Sequence, residues 1–263
     1  MTHDPDDILE MSQWDHFWVP GDVRVTDRPE LLYYSCSRDV PILNTVTRTR
    51  AEPQRLPELI GEVMHAHRGV RSRWLVREVP SSAPLEKELA GAGYAPSVRT
   101  FATAIGVEEY VPRAPENIVV RRVSDMPTLR DCVSVIANAF PGGRSFTDEE
   151  LEGDLGNCLD PGSRVLRFVA YDARSGEPLS SGGLTLFPTL AFGFLWAGGT
   201  MPHARGRGAY SAVLAARITK ARERGCRYAG LYAVTDTSAP IVLRQGFRKY
   251  GAMTYWERPP RLP

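Results

Sequence analysis

Met201-Pro202-His203-Ala204-Arg205-Gly206-Arg207-Gly208-Ala209-Tyr210 stands between the apolar stretch Phe192 to Thr200 and the helix-like stretch Ser211 to Arg224. A glycine-bearing turn that feeds a helix leaves the first backbone N–H groups without intrahelical acceptors. Together with the helix dipole they attract phosphate oxygens, so a pyrophosphate-bearing ligand is implied. The spacing excludes the two common nucleotide loops. A GxxxxGK[ST] loop needs a Lys-Ser or Lys-Thr pair after the glycines, and none follows; a GxGxxG fingerprint needs a third glycine where Ser211 stands.

What remains, Met201 to Leu214, resembles motif A of the GCN5-related N-acetyltransferases, which bind acyl-coenzyme A. The usual form is a strand, a short turn with Pro, then Arg/Gln-x-x-Gly-x-Gly/Ala and a helix. Arg205 and Gly208 fit it, and Tyr210 replaces the last small residue. The resemblance implies that the main chain of Arg205, Gly206, Arg207, Gly208, Ala209 and Tyr210 wraps the coenzyme A pyrophosphate. It also implies that the preceding strand splays open, so that Gly198 and Thr200 offer backbone contacts to the pantetheine arm. At Gly208 a phosphate cradled by backbone needs close approach. Tyr210 either turns into the core or narrows the groove.

Around this motif the predicted elements run strand (Ile118 to Val123), helix (Met126 to Phe140, capped by Ser124) and a turn at Pro141-Gly142-Gly143. A second helix follows, with Thr147 and Glu150 spaced as a capping box. Strands are expected at Arg164 to Tyr171, Leu179 to Leu186 and Leu190 to Thr200, the first two joined by hairpin chemistry at Asp172 to Gly176. Val213, Leu214, Ile218 and Ala221 recur at helical spacing, with Arg217, Lys220, Arg222 and Glu223 assigned mainly to other faces, and Gly225 stops the helix. A strand at Arg227 to Val234, a helix at Ser238 to Gln245 and a strand pair from Phe247 to Glu257 complete the order. This is the element order of the GNAT acyltransferase fold: α+β, with a mixed, largely antiparallel central sheet flanked by helices.

The polar, proline-interrupted run from Val107 to Asn117 suits a boundary, giving an early region over 1–112 and the motif-bearing domain over 118–263. In the early region Leu56 to His67 carries an apolar stripe and reads as a helix. Trp74 to Val79 reads as a strand, Ala83 to Ala92 as a helix and Val98 to Val107 as a strand. Leu89-Ala90-Gly91-Ala92-Gly93-Tyr94 and Leu243-Arg244-Gln245-Gly246-Phe247 both end a helix on glycine and an aromatic before a strand. The pattern suggests a weak internal repeat, with the early region a degenerate GNAT-like half in tandem with the later one, or two ordinary helix caps.

The 263 residues carry a formal net charge of +1, which gives no global pull toward nucleic acid or anionic lipid, although Arg205, Arg207, Arg217, Lys220, Arg222 and Arg224 could form a local phosphate-binding patch. The acidic start, Met1 to Asp7, is not secretory in character, and no apolar run reaches membrane-spanning length, so a cytoplasmic location is expected. Cys36, Cys132, Cys158 and Cys226 are scattered without a CxxC pair and read as reduced, mostly buried thiols, and no metal is expected. His65 and His67 lie two apart on a helix and do not face one direction.

Acyl transfer to an amine needs a neutral nucleophile, a donor for the oxyanion and an acid for the leaving thiolate. The resemblance supplies the second with a backbone N–H near Gly198 to Thr200. The Tyr that serves as acid in many relatives corresponds to Val242, and the Asn that often opens that segment corresponds to Thr235. Tyr232 is the substitute acid, with Tyr250, Asp236 and Ser238 nearby; the alternative role for the tyrosines is sheet packing and for the others helix capping. Glu149, Glu150 and Glu152 lie on the helix that usually walls the acceptor, where a solvated face is the alternative, and His203 suits a surface role. The expected activity is acetyl transfer from acetyl-CoA, as co-substrate, to a primary amine of a small molecule or protein. Two alternatives stand beside it: an aminoacyl-tRNA-dependent amide-forming transferase on the same fold, the only case in which nucleic acid is a partner, and a non-catalytic CoA-binding module. Residues 1–117 could wall the acceptor cleft, shield a sheet edge or join two copies as a homodimer. Trp14, Phe17, Trp18, Tyr33 and Tyr34 line that cleft or belong to a core.

Overall fold

The computed structural model describes residues 4–113, 115–140 and 147–260. The turn expected at Pro141-Gly142-Gly143 lies outside them. The chain divides into two compact units, Ala104–Leu231 and a first unit built from the residues up to Thr103 together with those from Tyr232 onward. This division differs from the boundary read at 112–118, because the last helix and strand return to the first unit.

The first unit begins with α1 (Pro5–Ser12), whose N-cap Asp4 accepts from the Asp6 N–H, followed by β1 (Arg24–Arg28), β2 (Leu31–Ser35) and β3 (Thr45–Thr49). None of these four is among the elements expected from the sequence. Then come α2 (Leu56–Ala66), β4 (Ser72–Arg77), α3 (Ala83–Gly91) and β5 (Ala95–Gly106), whose last residues, from Ala104, belong to the second unit. β2 is buried throughout, and its alternating side chains enter two cores. Leu31 and Tyr33 pack with Leu59, Ile60, Val63 and Trp74, while Leu32 and Tyr34 pack with Val23 and Leu43. A strand covered on both faces reads as a continuous apolar run with no period of two, which is why it gave no clear signal. Tyr33 and Tyr34 are thus core residues, whereas Phe17 and Trp18 are exposed and Trp14 lies beneath the guanidinium groups of Arg48 and Arg50.

The second unit holds β6 (Ile118–Arg122), α4 (Met126–Ala139), α5 (Asp148–Leu159), β7 (Val165–Asp172), β8 (Pro178–Phe187), β9 (Phe192–Thr200), α6 (Ala209–Glu223) and β10 (Tyr228–Val234), the last crossing into the first unit at Tyr232. α4 is capped by Asp125, which accepts from the Thr128 N–H at 2.8 Å, and not by Ser124. α5 has the expected capping box, with the Glu150 carboxylate accepting from the Thr147 N–H and the Thr147 hydroxyl from the Glu150 N–H. β6, β7, β8 and β9 form successive antiparallel neighbours, and β10 joins β9 in parallel.

Back in the first unit, α7 (Ser238–Arg244) leads into β11 (Arg248–Arg258), a single unbroken strand where a strand pair was expected, antiparallel to β4. The two sequence-matched helix ends prove to be the same cap, with Tyr94 N–H reaching Leu89 O and Phe247 N–H reaching Val242 O, each five residues back. All four cysteines are free thiols. Among the described residues no helix is long and apolar enough to cross a membrane, and no group of His, Cys, Asp and Glu could hold a metal ion.

Candidate functional site

Three backbone features meet where β9 runs into α6. The first is a bulge. Ser181 pairs with Gly199 and Gly183 with Trp196, so Ala197 and Gly198 together oppose Gly182. Ala197 takes a left-handed conformation at φ 46°, which an alanine adopts only when its surroundings enforce it. The second is an interrupted ladder. The parallel pairing of β10 with β9 ends at Gly230 opposite Phe194, while β9 continues to Thr200. The third is the turn, a single 3₁₀ turn at Pro202–Ala204 followed by Gly206 and Gly208, both with positive φ. Gly208 is the N-cap of α6, and no side chain caps that helix. The N–H groups of its first turn therefore lack the side-chain partner that capped helices have.

Side chains from two opposite faces explain the glycines at the bulge. A Cβ on Gly198 would meet the Tyr210 ring at 2.9 Å and the Arg217 guanidinium at 3.2 Å, both from α6. A Cβ on Gly199 would meet Ala139 at 2.6 Å and the Phe140 ring at 3.0 Å, at the end of α4. Successive strand residues point to opposite faces, so α6 and α4 flank the end of β9. The same alternation holds on β8. Ser181 donates to Cys132 O on α4, and a Cβ on Gly182 would meet Arg217 at 2.7 Å. A Cβ on Gly183 would fall 2.2 Å from the Trp196 ring.

The residues expected to meet the donor have the following surroundings. Thr200 is held by the Ser180 hydroxyl, which lies 3.0 Å from the Thr200 hydroxyl and donates to Gly199 O at 2.6 Å. Arg205 is exposed in the turn. Arg207 is exposed too and pairs with Asp172 at 2.7 Å. The N–H groups of Ser175 and Arg174, and then Arg207, hold the Asp172 carboxyl below its usual range. Gly206 has open space where a Cβ would stand, whereas a Cβ on Gly208 would lie 2.5 Å from Pro115 Cγ. The close approach at Gly208 is thus made by a proline of the 107–117 run. Ala209 is buried. Tyr210 turns into the layer between α6 and the sheet, where burial raises its phenol pKa and Arg217 opposes the rise.

The 107–117 run is more than a linker. Val107 and Tyr110 are buried, and Arg222 donates to the carbonyls of both. With Pro115 at Gly208, the run follows α6 from its last turns back to its N-cap. Of the expected phosphate-binding patch, Arg222 is committed to this strap, Lys220 pairs with Glu223, and Arg217 is 1% exposed. The sequence reading put Arg217 on an outer face. Its spacing from Val213, Leu214 and Ala221, at four, three and four residues, places it on the inner one.

The candidates for proton transfer have these surroundings. Tyr232 belongs to the first unit, where burial raises its phenol well above the ordinary value, with Asp6, Glu10 and Tyr255 raising it further and Arg77 opposing. The Ser238 hydroxyl accepts from the Val234 N–H, a turn-capping role, and Val242 is fully buried. His203 lies 3.0 Å from Glu177 on the surface. Glu149 and Glu152 are exposed on α5.

A strand with a bulge, an open edge past it and a glycine turn opening a helix define a chain with the fold of the GCN5-related N-acetyltransferases. No family model matches the sequence, and no curated protein sequence matches it. Solved structures do. A GCN5-related N-acetyltransferase from Kribbella flavida superposes with a TM-score of 0.67 at 14% identity, covering 91% of each chain. One from Sphaerobacter thermophilus does so with a TM-score of 0.58 at 24% identity, over 78% of this chain and 66% of that one. A tandem GNAT protein from the clavulanic acid biosynthesis pathway covers 97% of this chain and 88% of its own length, with a TM-score of 0.62 at 13% identity.

Proposed function

We propose that this protein is an acyl-CoA-dependent N-acyltransferase that moves an acetyl group from acetyl-CoA to a primary amine of a small molecule or protein. The observation that carries the reading is the bulge at Ala197 and Gly198 beside the open end of β9, leading directly to a helix start without a side-chain cap. In this reading the α6 N-terminus receives the pyrophosphate, and the β9 edge receives the pantetheine amides. A backbone N–H of the bulge donates to the thioester carbonyl oxygen. The amine lone pair attacks the carbonyl carbon and the C=O π pair moves to oxygen. The carbonyl then re-forms, the C–S bond breaks and sulfur leaves as thiolate. The amine nitrogen gives up a proton to solvent and the thiolate takes one. The names of the structural neighbours support this chemistry, and no resident cofactor or metal enters it.

Gly206→Asp tests the donor site cleanly. Its Cβ meets nothing within 4 Å, and Asp tolerates the left-handed conformation better than most residues. The added carboxylate should repel the pyrophosphate and weaken coenzyme A binding at least about tenfold in calorimetry, a loss of about 1.4 kcal/mol. Unchanged affinity in the folded variant would remove the donor assignment. Binding to tRNA with none to coenzyme A would favour the aminoacyl-tRNA alternative, and coenzyme A binding without turnover of any amine would favour a non-catalytic module.

A further inference from the structure

Among the described residues, Trp74 alone of the fully buried side chains is larger than Arg217, and no carboxylate pairs with this arginine. A buried charge normally has a counter-ion, because its lost hydration must be replaced. Here the replacement is backbone. The guanidinium Nη1 donates to Gly183 O at 3.2 Å and to Trp196 O at 3.4 Å, and Nε donates to Val213 O at 3.3 Å. Gly183 and Trp196 are the last register pair before the bulge, so one cation ties both strands at the point where β9 departs from its ladder. Gly182 and Gly198 give it room, as a Cβ on either would stand 2.7 or 3.2 Å from guanidinium nitrogens.

Among the described residues, two polar groups in this place keep unmet bonding capacity: Arg217 Nη2 has no acceptor at hydrogen-bond geometry, and the Tyr110 hydroxyl has no partner. The Tyr210 phenol lies beside the same guanidinium without closing a bond of good geometry to Nη2. Burial pushes the Arg217 pKa down, with the neighbouring phenols opposing, yet a guanidinium stays protonated in proteins. The result is a full positive charge under the bulge, facing backbone carbonyls and phenols, with no anion beside it among the described residues.

We propose that Arg217 is a positioning residue for acyl transfer, which fixes the β9 bulge from beneath and sets an uncompensated positive charge behind the N–H groups that hold the thioester. This rests on the acyl-CoA reading. In that reaction negative charge appears first on the carbonyl oxygen and then on sulfur, and a fixed cation in a dry layer stabilises both without reorganising. Tethering carbonyls needs only N–H donors; the charge is what a neutral donor would not supply.

The test is the ionisation of the coenzyme A thiol bound to the full-length protein, followed by the ultraviolet absorbance of the thiolate across pH. In the wild type the bound thiol should titrate at least about one unit below free coenzyme A, as expected beside an opposite charge. Arg217→Met and Arg217→Gln should return it to within a few tenths of a unit of the free value, with coenzyme A affinity within threefold, while Arg217→Lys keeps most of the depression. Turnover should follow, kcat falling about tenfold in the Met and Gln variants with KM for acetyl-CoA little changed. Met removes the buried charge together with the donors to the Gly183 and Trp196 carbonyls, which costs stability. If Met fails to fold, Gln, which keeps a donor for the carbonyls, decides. Coenzyme A bound with the wild-type thiol titration in the Gln or Met variant overturns the proposal. If the wild type binds no coenzyme A at all, the donor reading itself falls, and this inference with it.

Discussion

His67 should make the first unit lose stability well above the pH at which carboxylates titrate. It is fully buried at the end of α2, and its bonding fixes one tautomer. Nε2 lies 2.8 Å from Tyr34 O, a carbonyl that can only accept, so Nε2 carries the hydrogen. Nδ1, 2.6 Å from the Ser72 hydroxyl, then accepts from it, and that hydroxyl is in turn 2.6 Å from the Tyr94 phenol, which completes a chain of donors. A second proton has no acceptor in this order and must enter a buried layer with Arg258 nearby. Burial, with Arg258 adding, lowers the pKa from 6.5 to about 4, against the backbone bond to Tyr34. The unfolded chain therefore takes up a proton first as pH falls, and the stability present above 6.5 is lost progressively down to about 4. A shift of about 2.5 units corresponds to about 3.4 kcal/mol in total, and about 2 kcal/mol is already gone at pH 5. Asp39, Glu78, Asp125 and Asp172, whose pKa values are lowered, keep their contributions above their unfolded values of 3.8 to 4.5 and lose them only below, so most of the His67 loss comes first. Urea unfolding between pH 7.5 and 4.5 should show the loss, and the His67 imidazole C2–H resonance should stay at its neutral position to about pH 5. His67→Gln, whose amide can replace both bonds, should flatten the slope. A wild-type stability constant from pH 7 to 5, or the same slope in the Gln variant, would refute the argument.

The remaining expectations concern the second unit. Gly183→Ala puts a methyl 2.2 Å from the Trp196 ring, so the ring must leave its place, with a stability loss of about 1–3 kcal/mol by thermal unfolding. Gly206→Ala and Gly208→Ala should share a left-handed penalty of about 1–2 kcal/mol. Only Gly208→Ala displaces Pro115, so limited trypsin digestion should cut after Arg113 faster in that variant alone; equal rates in the two would show that Pro115 does not hold the strap. Replacing Gly199 with Ala should disturb Ala139 and Phe140 at the end of α4, read as faster amide exchange in that last turn, while leaving the exchange of the first turn of α6 unchanged.

The elements that were legible in the sequence share a property: each has one face toward a core and one toward solvent, or carries its own end signal. α2, α4, α5 and α6 came from apolar spacing and caps, and the β7–β8 hairpin from the turn at Asp172 to Gly176. β1, β2 and β3 were missed, since burial on both faces removes the alternation in β2 and short strands carry little of it. β11 is one strand where a pair is expected, and Gly251 within it leaves space for the Asp6 carboxylate of α1. At the site, the run Arg205 to Gly208 was visible as a motif. The paired glycines at 182–183 and 198–199 were equally plain on the page, yet what makes them necessary, Arg217, Trp196, Tyr210 and Phe140, comes from other elements.

The sequence by itself determined a glycine turn between a strand and a helix, the order of elements around it and the fold that this order implies, since spacing and capping act over a few residues. Only the tertiary structure decided that the Tyr210 ring lies against Gly198, that Pro115 fills the place beside Gly208, and that Arg217, with no carboxylate partner among the described residues, lies beneath the β9 bulge. Each of these depends on which side chain from a distant element meets a given backbone atom. Packing sets that, and no local periodicity records it.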